Sequence, residues 1–133
     1  MIIIGYKEPS IFKINHDIVL EYKRICDSYL VSIRRNMTRQ CVDFRLYAPM
    51  NKVFNAYGDI INSFLEDNYS DEHEYNDDYR KLEQAINDYK KDAELQLVGF
   101  VYDNVCDELD MLKLAMGKLR YIAENFCIQE EES

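Results

Sequence analysis

The chain is expected to be all-α: an elongated antiparallel bundle of about four helices behind a short extended segment at the N-terminus. Three observations carry this. Only four Gly and two Pro punctuate 133 residues, which leaves room for long uninterrupted elements. From Leu95 to Phe126 the apolar residues Leu95, Val98, Tyr102, Val105, Leu109, Leu112, Met116, Leu119, Ala123 and Phe126 recur in alternating steps of three and four, the a/d spacing of an amphipathic helix. The flanks of that stripe mix Val101, Cys106, Ala115, Ile122 and Cys127 with Glu108, Lys113 and Arg120, so it is too broad for a two-stranded seam and wants neighbours on two sides. The competing architecture is α+β, with strands near residues 2–6, 41–47 and 95–102.

The elements follow in order. Residues 2–6 suit a short strand or a tail packed on the core, broken by Pro9-Ser10, and Ile11, Phe12 and Ile14 form a brief apolar cluster. Asn15 or Asp17 caps a first helix. Its stripe runs Ile18, Tyr22, Ile25, Tyr29, Ile33, Met37, Cys41, Phe44 and Ala48 and stops at Pro49, because the residue before a proline avoids the helical region. Within this run Val42, Phe44 and Leu46 also alternate with Asp43 and Arg45, the basis of the strand alternative there. A second helix carries Val53, Phe54, Tyr57, Ile60, Ile61, Phe64 and Leu65 on one wide face. Ser70 or Asp71 caps a third, with Tyr75, Tyr79, Leu82, Ile86, Tyr89 and Ala93 as its stripe. That stripe is out of phase with the one beginning at Leu95, so the chain must turn or stutter near Lys90-Lys91-Asp92. The outer two helices are then about thirty residues, roughly 45 to 50 Å, and the inner two about twenty. The overhang of the longer pair makes a homodimer a reasonable expectation. The tail Gln129–Ser133 is acidic and expected to fray.

One domain spanning 1–133 accommodates all of this. No stretch approaches the apolar length needed to cross a bilayer, and Met1-Ile2-Ile3-Ile4-Gly5 lacks the basic start and length of a signal peptide. Cys26, Cys41, Cys106 and Cys127 are far apart, without a paired metal-ligand spacing, as expected of reduced thiols in a cytoplasmic protein.

The net charge of −9 is uneven. Residues 1–60 hold nine Lys/Arg against six Asp/Glu, whereas residues 61–133 hold seven against nineteen. The segment Glu66 to Asp78 alone has seven acids and no Lys or Arg. Signals for catalysis are sparse: no phosphate-binding glycine loop, no nucleophile elbow, no zinc-protease motif, and two histidines, His16 and His73, at neither of which a Glu-x-x-His pair occurs. Asp103, Asp107, Glu108 and Asp110 echo the carboxylate clusters with which helical nucleotide pyrophosphohydrolases hold Mg²⁺, but Leu109 faces inward between them and a solvated acidic face is the plainer account. Arg24, Arg34, Arg35, Arg39 and Arg45 share an arc of the first helical stretch. They are expected to pair with the acidic segment within the fold or across a dimer, since a strongly acidic body repels nucleic acid.

The functional expectation is therefore a non-enzymatic protein, using no cofactor or metal, that binds a protein partner with a basic surface. Its contact residues would be Glu66, Asp67, Tyr69, Asp71, Glu72, Glu74, Tyr75, Asp77, Asp78 and Tyr79, carboxylates for capture and aromatic rings for anchoring. An inhibitor of a nucleic-acid-handling enzyme is the sharpest form. Usage rich in Asn, Ile, Lys and Tyr suits a phage or mobile element, in an anti-defence or immunity role. The alternatives are a Mg²⁺-dependent nucleotide pyrophosphohydrolase and a homo-oligomeric helical scaffold whose interface is the Leu95–Phe126 stripe. Direct contact with nucleic acid or membrane is not expected.

Overall fold

The computed structural model describes residues 12–125 throughout and, as backbone, residues 2–5 and 127–130. The protein is a four-helix bundle: α1 (His16–Arg39), α2 (Phe44–Leu65), α3 (Glu72–Gln96) and α4 (Gly99–Asn125). Between residues 12 and 125 no residue is in a strand, which removes the strands proposed at 41–47 and 95–102. Outside the bundle β1 (Ile2–Gly5) pairs antiparallel with β2 (Cys127–Glu130), Ile2 opposite Glu130 and Gly5 opposite Cys127. Gln129 and Glu130, expected to fray, belong to that ladder. The expectations placed on Pro9-Ser10, Ile11, Phe126 and residues 131–133 lie outside the described residues.

Each helix runs antiparallel to its neighbours, and cross-helix pairs show it. Tyr57 of α2 donates to Asp27 of α1 at 2.9 Å, while Arg34, farther along α1, stacks on Phe54, earlier in α2. Asp43 at the start of α2 meets Gln96 at the end of α3. Arg120 of α4 reaches Asn76 near the start of α3, and Lys90 near its end reaches Asp110. Ser32 late in α1 donates to Glu108 early in α4, closing the ring. Short connections between consecutive helices dictate this up-down-up-down order. The two halves of the chain lie side by side, so the charge step in the sequence runs across the bundle, α1 and α2 against α3 and α4.

The core is the sum of four stripes. Val19, Cys26, Leu30, Ile33 and Met37 of α1 meet Leu46, Val53, Ile60 and Phe64 of α2, Leu82, Ile86 and Tyr89 of α3, and Val105, Leu109, Leu112, Met116 and Leu119 of α4, all buried. Fully buried apolar side chains of this size each contribute about 1.5–3 kcal/mol relative to exposure. Burial of the Cys26 thiol pushes its pKa up to about 12, which makes it a core methyl-like group and no nucleophile.

Two boundaries differ from expectation, and one device explains the first. α1 ends at Arg39 and not at Ala48, because Cys41 adopts a left-handed conformation (φ 52°) while Cys41 N–H donates to the Thr38 carbonyl and Val42 N–H to the Met37 carbonyl. This is a Schellman closure, with Val42 packed against the core next to Met37. The residue at its left-handed position is usually Gly, so a Cys there leaves no turn signature in the sequence. Asp43 then caps α2 by accepting from Arg45 N–H at 2.9 Å, and its carboxyl is held below the usual range chiefly by the hydrogen bonds from the Arg45 side chain. Pro49 is carried inside α2, where it leaves only the carbonyl of exposed Arg45 without its helical partner. Phe44, assigned to the α1 stripe, is exposed on the first turn of α2.

The second difference is at the α3–α4 turn. α3 does not break at Lys90-Lys91-Asp92 but continues to Gln96, and extended Leu97 supplies the corner. Leu95 and Val98, read as the start of the last stripe, are exposed on the two sides of that turn. The four helices have 24, 22, 25 and 27 residues, so no long pair overhangs a short one and the dimer argument built on an overhang has no footing.

Candidate acidic interface

The acidic segment joins α2 to α3 at the end of the bundle where α1 begins. α2 closes as α1 does: Asp67 takes the left-handed conformation (φ 54°), Asp67 N–H donates to the Phe64 carbonyl and Asn68 N–H to the Ser63 carbonyl. Asp71 caps α3 by accepting from Glu74 N–H at 3.1 Å, and the Glu74 carboxylate accepts in turn from Ser70 N–H at 3.3 Å. Asp71, Glu74 and Glu72 of the first turn set three negative charges against the positive end of the α3 dipole.

Glu66, Asp67, Asp71, Glu72, Glu74 and Asp77 are exposed, as expected. Most of their hydrogen bonds come from neutral donors, which leaves the charge in place. Among the described residues, the segment has an ion pair of Asp77 with Arg80 at 3.2 Å, and His16 Nε2 lies within hydrogen-bonding distance of Asp67 at 3.1 Å. Asp78 is half-buried and accepts from the Tyr69 hydroxyl at 2.8 Å.

The tyrosines expected on this surface are inside it. Tyr69 and Tyr75 are buried, and Tyr79 is half-buried. Phe12, Phe64, Tyr69 and Tyr75 form one aromatic cluster, with ring centroids 4.9 Å apart for Phe64–Tyr69, 5.5 Å for Phe64–Tyr75 and 5.6 Å for Phe12–Tyr75. Tyr79 stacks on Tyr75 at 5.9 Å, and the Tyr75 hydroxyl donates to the Met116 carbonyl of α4 at 2.6 Å. These rings anchor the acidic end to the core, and of the three tyrosines only half-buried Tyr79 keeps part of its surface in water. Tyr69 was the harder to foresee: it lies in a connection, where no periodicity says which way a side chain turns.

The arginines do not pair with this segment. Arg24 binds Glu21 within α1, Arg45 binds its own cap Asp43, and Arg34 lies 4.8 Å over the Phe54 ring. Arg35 and Arg39 are exposed. The expected pairing within the fold is therefore not made, because the antiparallel order places α1's basic last turns at the far end of the bundle.

The carboxylates considered for Mg²⁺ are dispersed around α4. Glu108 turns to Ser32 of α1 at 2.8 Å, Asp110 to Lys90 of α3 at 2.6 Å, and Asp103 and Asp107 are exposed. Among the described residues, no group of three or more His, Cys, Asp or Glu is placed to hold a metal ion. Glu108 Oε2 is buried without a hydrogen-bond partner, and burial raises its carboxyl pKa while the Ser32 hydroxyl partly offsets this. The folded carboxyl therefore protonates at a higher pH than an unfolded one, so its charge penalises the fold above that range and the penalty fades as pH falls through it. Glu108→Gln is expected to raise Tm at pH 7 by roughly 2 °C, a small effect because the group is only partly buried. The gain should vanish below a pH of about 4, where the wild-type carboxyl is protonated in both states. A series of thermal melts across pH tests it, and an unchanged gap at low pH would count against the burial account.

Surface grooves flank the bundle. One, of about 370 Å³ between α1 and α4, is lined by Tyr22, Ile25, Tyr29, Met111, Leu114 and Lys118 among others. Another, between α2 and α3, has Lys52, Asp88 and Lys91 on its walls beside Ala48, Pro49 and Ala85. Neither brings a nucleophile and a base together.

What fold and surface define is a class, an up-down-up-down four-helix bundle with one strongly acidic end and, among the described residues, no helix long and apolar enough to cross a membrane. Comparison with protein-family models, curated proteins and solved structures finds no match to this chain.

Proposed function

We propose that the protein acts by stoichiometric binding to a partner with a basic surface, through the exposed carboxylates of the α2–α3 connection and the first turns of α3. An inhibitor of a nucleic-acid-handling enzyme is its sharpest form, a cytoplasmic anti-defence or immunity protein of the phage or mobile-element type. The observation that supports it is the row Glu66, Asp67, Asp71, Glu72, Glu74 and Asp77: exposed, negative, and among the described residues met by a Lys or Arg only where Arg80 pairs with Asp77. Such a row raises the on-rate for a cationic surface by electrostatic steering. With Tyr69 and Tyr75 committed to the core, capture rests on charge more heavily than the sequence suggested.

The test is affinity capture from the native host with the wild type and with a variant carrying Glu66→Gln, Asp67→Asn, Asp71→Asn, Glu72→Gln, Glu74→Gln and Asp77→Asn. These replacements keep the capping oxygens and remove the charge. The expected result is a specific basic protein retained by the wild type, weakened tenfold or more between about 50 mM and about 500 mM salt, and lost from the variant. Retention of the same proteins by both forms, or at both salt concentrations, would overturn the reading.

A further inference from the structure

The end of the bundle opposite the acidic segment carries the three most exposed large apolar side chains among the described residues, with Val98 beside them. Leu95 is 86% exposed, Phe44 78%, Phe100 72% and Val98 48%. They come from three helix termini and a turn: the start of α2, the end of α3, the α3–α4 turn and the start of α4. Two hydrogen bonds clamp these termini together. Gln96 Oε1 accepts from Asp43 N–H at 2.9 Å, and Gln96 Nε2 donates to Asp43 Oδ1 at 3.1 Å. Phe44 and Leu95 are the immediate chain neighbours of that pair, so the clamp holds their backbone positions at the same end of the bundle.

We infer that this end is a self-association face, on which a second copy of the chain docks end to end about a two-fold axis. Charge complementarity selects that occupant. The α1–α2 side of the face bears Arg39 and Arg45, and the α3–α4 side bears Glu94 and Asp103, all exposed. A two-fold axis lying in the face and running between the two helix pairs sets α1 of one copy over α4 of the other, and α2 over α3. Arg39 then meets Asp103 of the second copy and Phe44 packs on Leu95, while Arg45 stays on its own cap Asp43 at 2.7 Å. An isologous interface needs this self-complementary pattern. An anionic lipid surface would instead meet both acids in the plane of insertion.

The area is also sufficient. Side chains of this size, this exposed, remove about 500 Å² per copy from water, hence roughly 1,000 Å² in all, the lower bound of a specific interface before the rim is counted. An exposed apolar patch of about that size per molecule matches the largest patch of a typical monomer, which is often a functional surface. The dimer would carry its two acidic ends outward, which makes it bivalent toward any basic partner, although the inference does not depend on that partner.

Sedimentation of the full chain, with vesicle flotation beside it, tests the inference. At about 100 µM, a range covered by modest interfaces, the expected mass is twice the 15.9 kDa of the chain. Phe44→Asp with Phe100→Asp, and separately Leu95→Lys, are expected to return it to one chain mass with unchanged circular dichroism, since all three side chains are exposed. A wild type that stays monomeric, or a dimer that persists in both variants, would overturn the assignment. Flotation of the wild type with phosphatidylserine vesicles, abolished by the same substitutions, would overturn it in favour of a lipid surface. Loss of partner capture by the acidic-end variant leaves these masses unchanged, so the two proposals fail separately.

Discussion

Tyr75→Ala is expected to be the most damaging single substitution at the acidic end, lowering Tm by roughly 10–20 °C. Tyr75 is fully buried and touches three other rings of the cluster, and its hydroxyl reaches α4 at the Met116 carbonyl. Truncation leaves a cavity among Phe12, Phe64 and Tyr69 and unties the acidic connection from the core. Aromatic-to-alanine changes at such sites cost about 3–5 kcal/mol, a large share of the roughly 5–15 kcal/mol that holds a domain of this size together. Tyr75→Phe separates the two contributions. It keeps the ring and removes one hydrogen bond, so the expected loss is about 1 kcal/mol. Thermal or urea melts of the two variants decide the matter, and equal destabilisation would mean that the hydroxyl and not the packing dominates.

Leu109→Ala is expected to cost about 2–5 kcal/mol. Leu109 is fully buried in α4 and lies between Glu108, which turns to α1, and Asp110, which turns to α3, so its side chain points at the centre of the four helices. Leu114→Ala, on the same helix but half in water, should change stability by less than about 0.5 kcal/mol. Denaturant midpoints for the pair give the comparison. Similar losses at the two positions would mean that α4 is not seated as described.

The acidic end and the apolar end divide the labour of the surface. Helix capping uses Asp71 and Glu74 without neutralising them, so charge that organises α3 is also charge on display. At the other end the Asp43–Gln96 clamp orders the termini that present Phe44 and Leu95. Both ends are built from connections between helices, where side chains escape the inward-outward rule that the stripes impose.

How much of this was legible differs by element. The α3 stripe from Tyr75 to Ala93 and the Val105-to-Ala123 portion of the α4 stripe were readable from spacing, because burial of one face of a helix demands a repeat near 3.6 and little else produces one. The same spacing already turned Tyr75 inward, against its use as a contact residue. The ends of α1 and α2 were not readable. A Schellman closure with Cys41 or Asp67 at the left-handed position is stabilised by packing and by hydrogen bonds to the previous turn, neither of which has a local signature when Gly is absent. Leu95 and Val98 kept phase with α4 by coincidence of spacing, and only the corner at Leu97 placed them in water.

Composition and periodicity alone thus determined the helical class, the number of helices, most of the core and the negative charge of the 66–78 segment, since each depends on residues within a turn or two of one another. The tertiary structure alone decided where α1 stops, that Tyr69 faces the core, that the carboxylates of α4 diverge, and that Phe44, Leu95 and Phe100 share one end. Those features depend on residues far apart in the chain meeting across the bundle, and a one-dimensional pattern carries no information about which side of a neighbour a side chain will find.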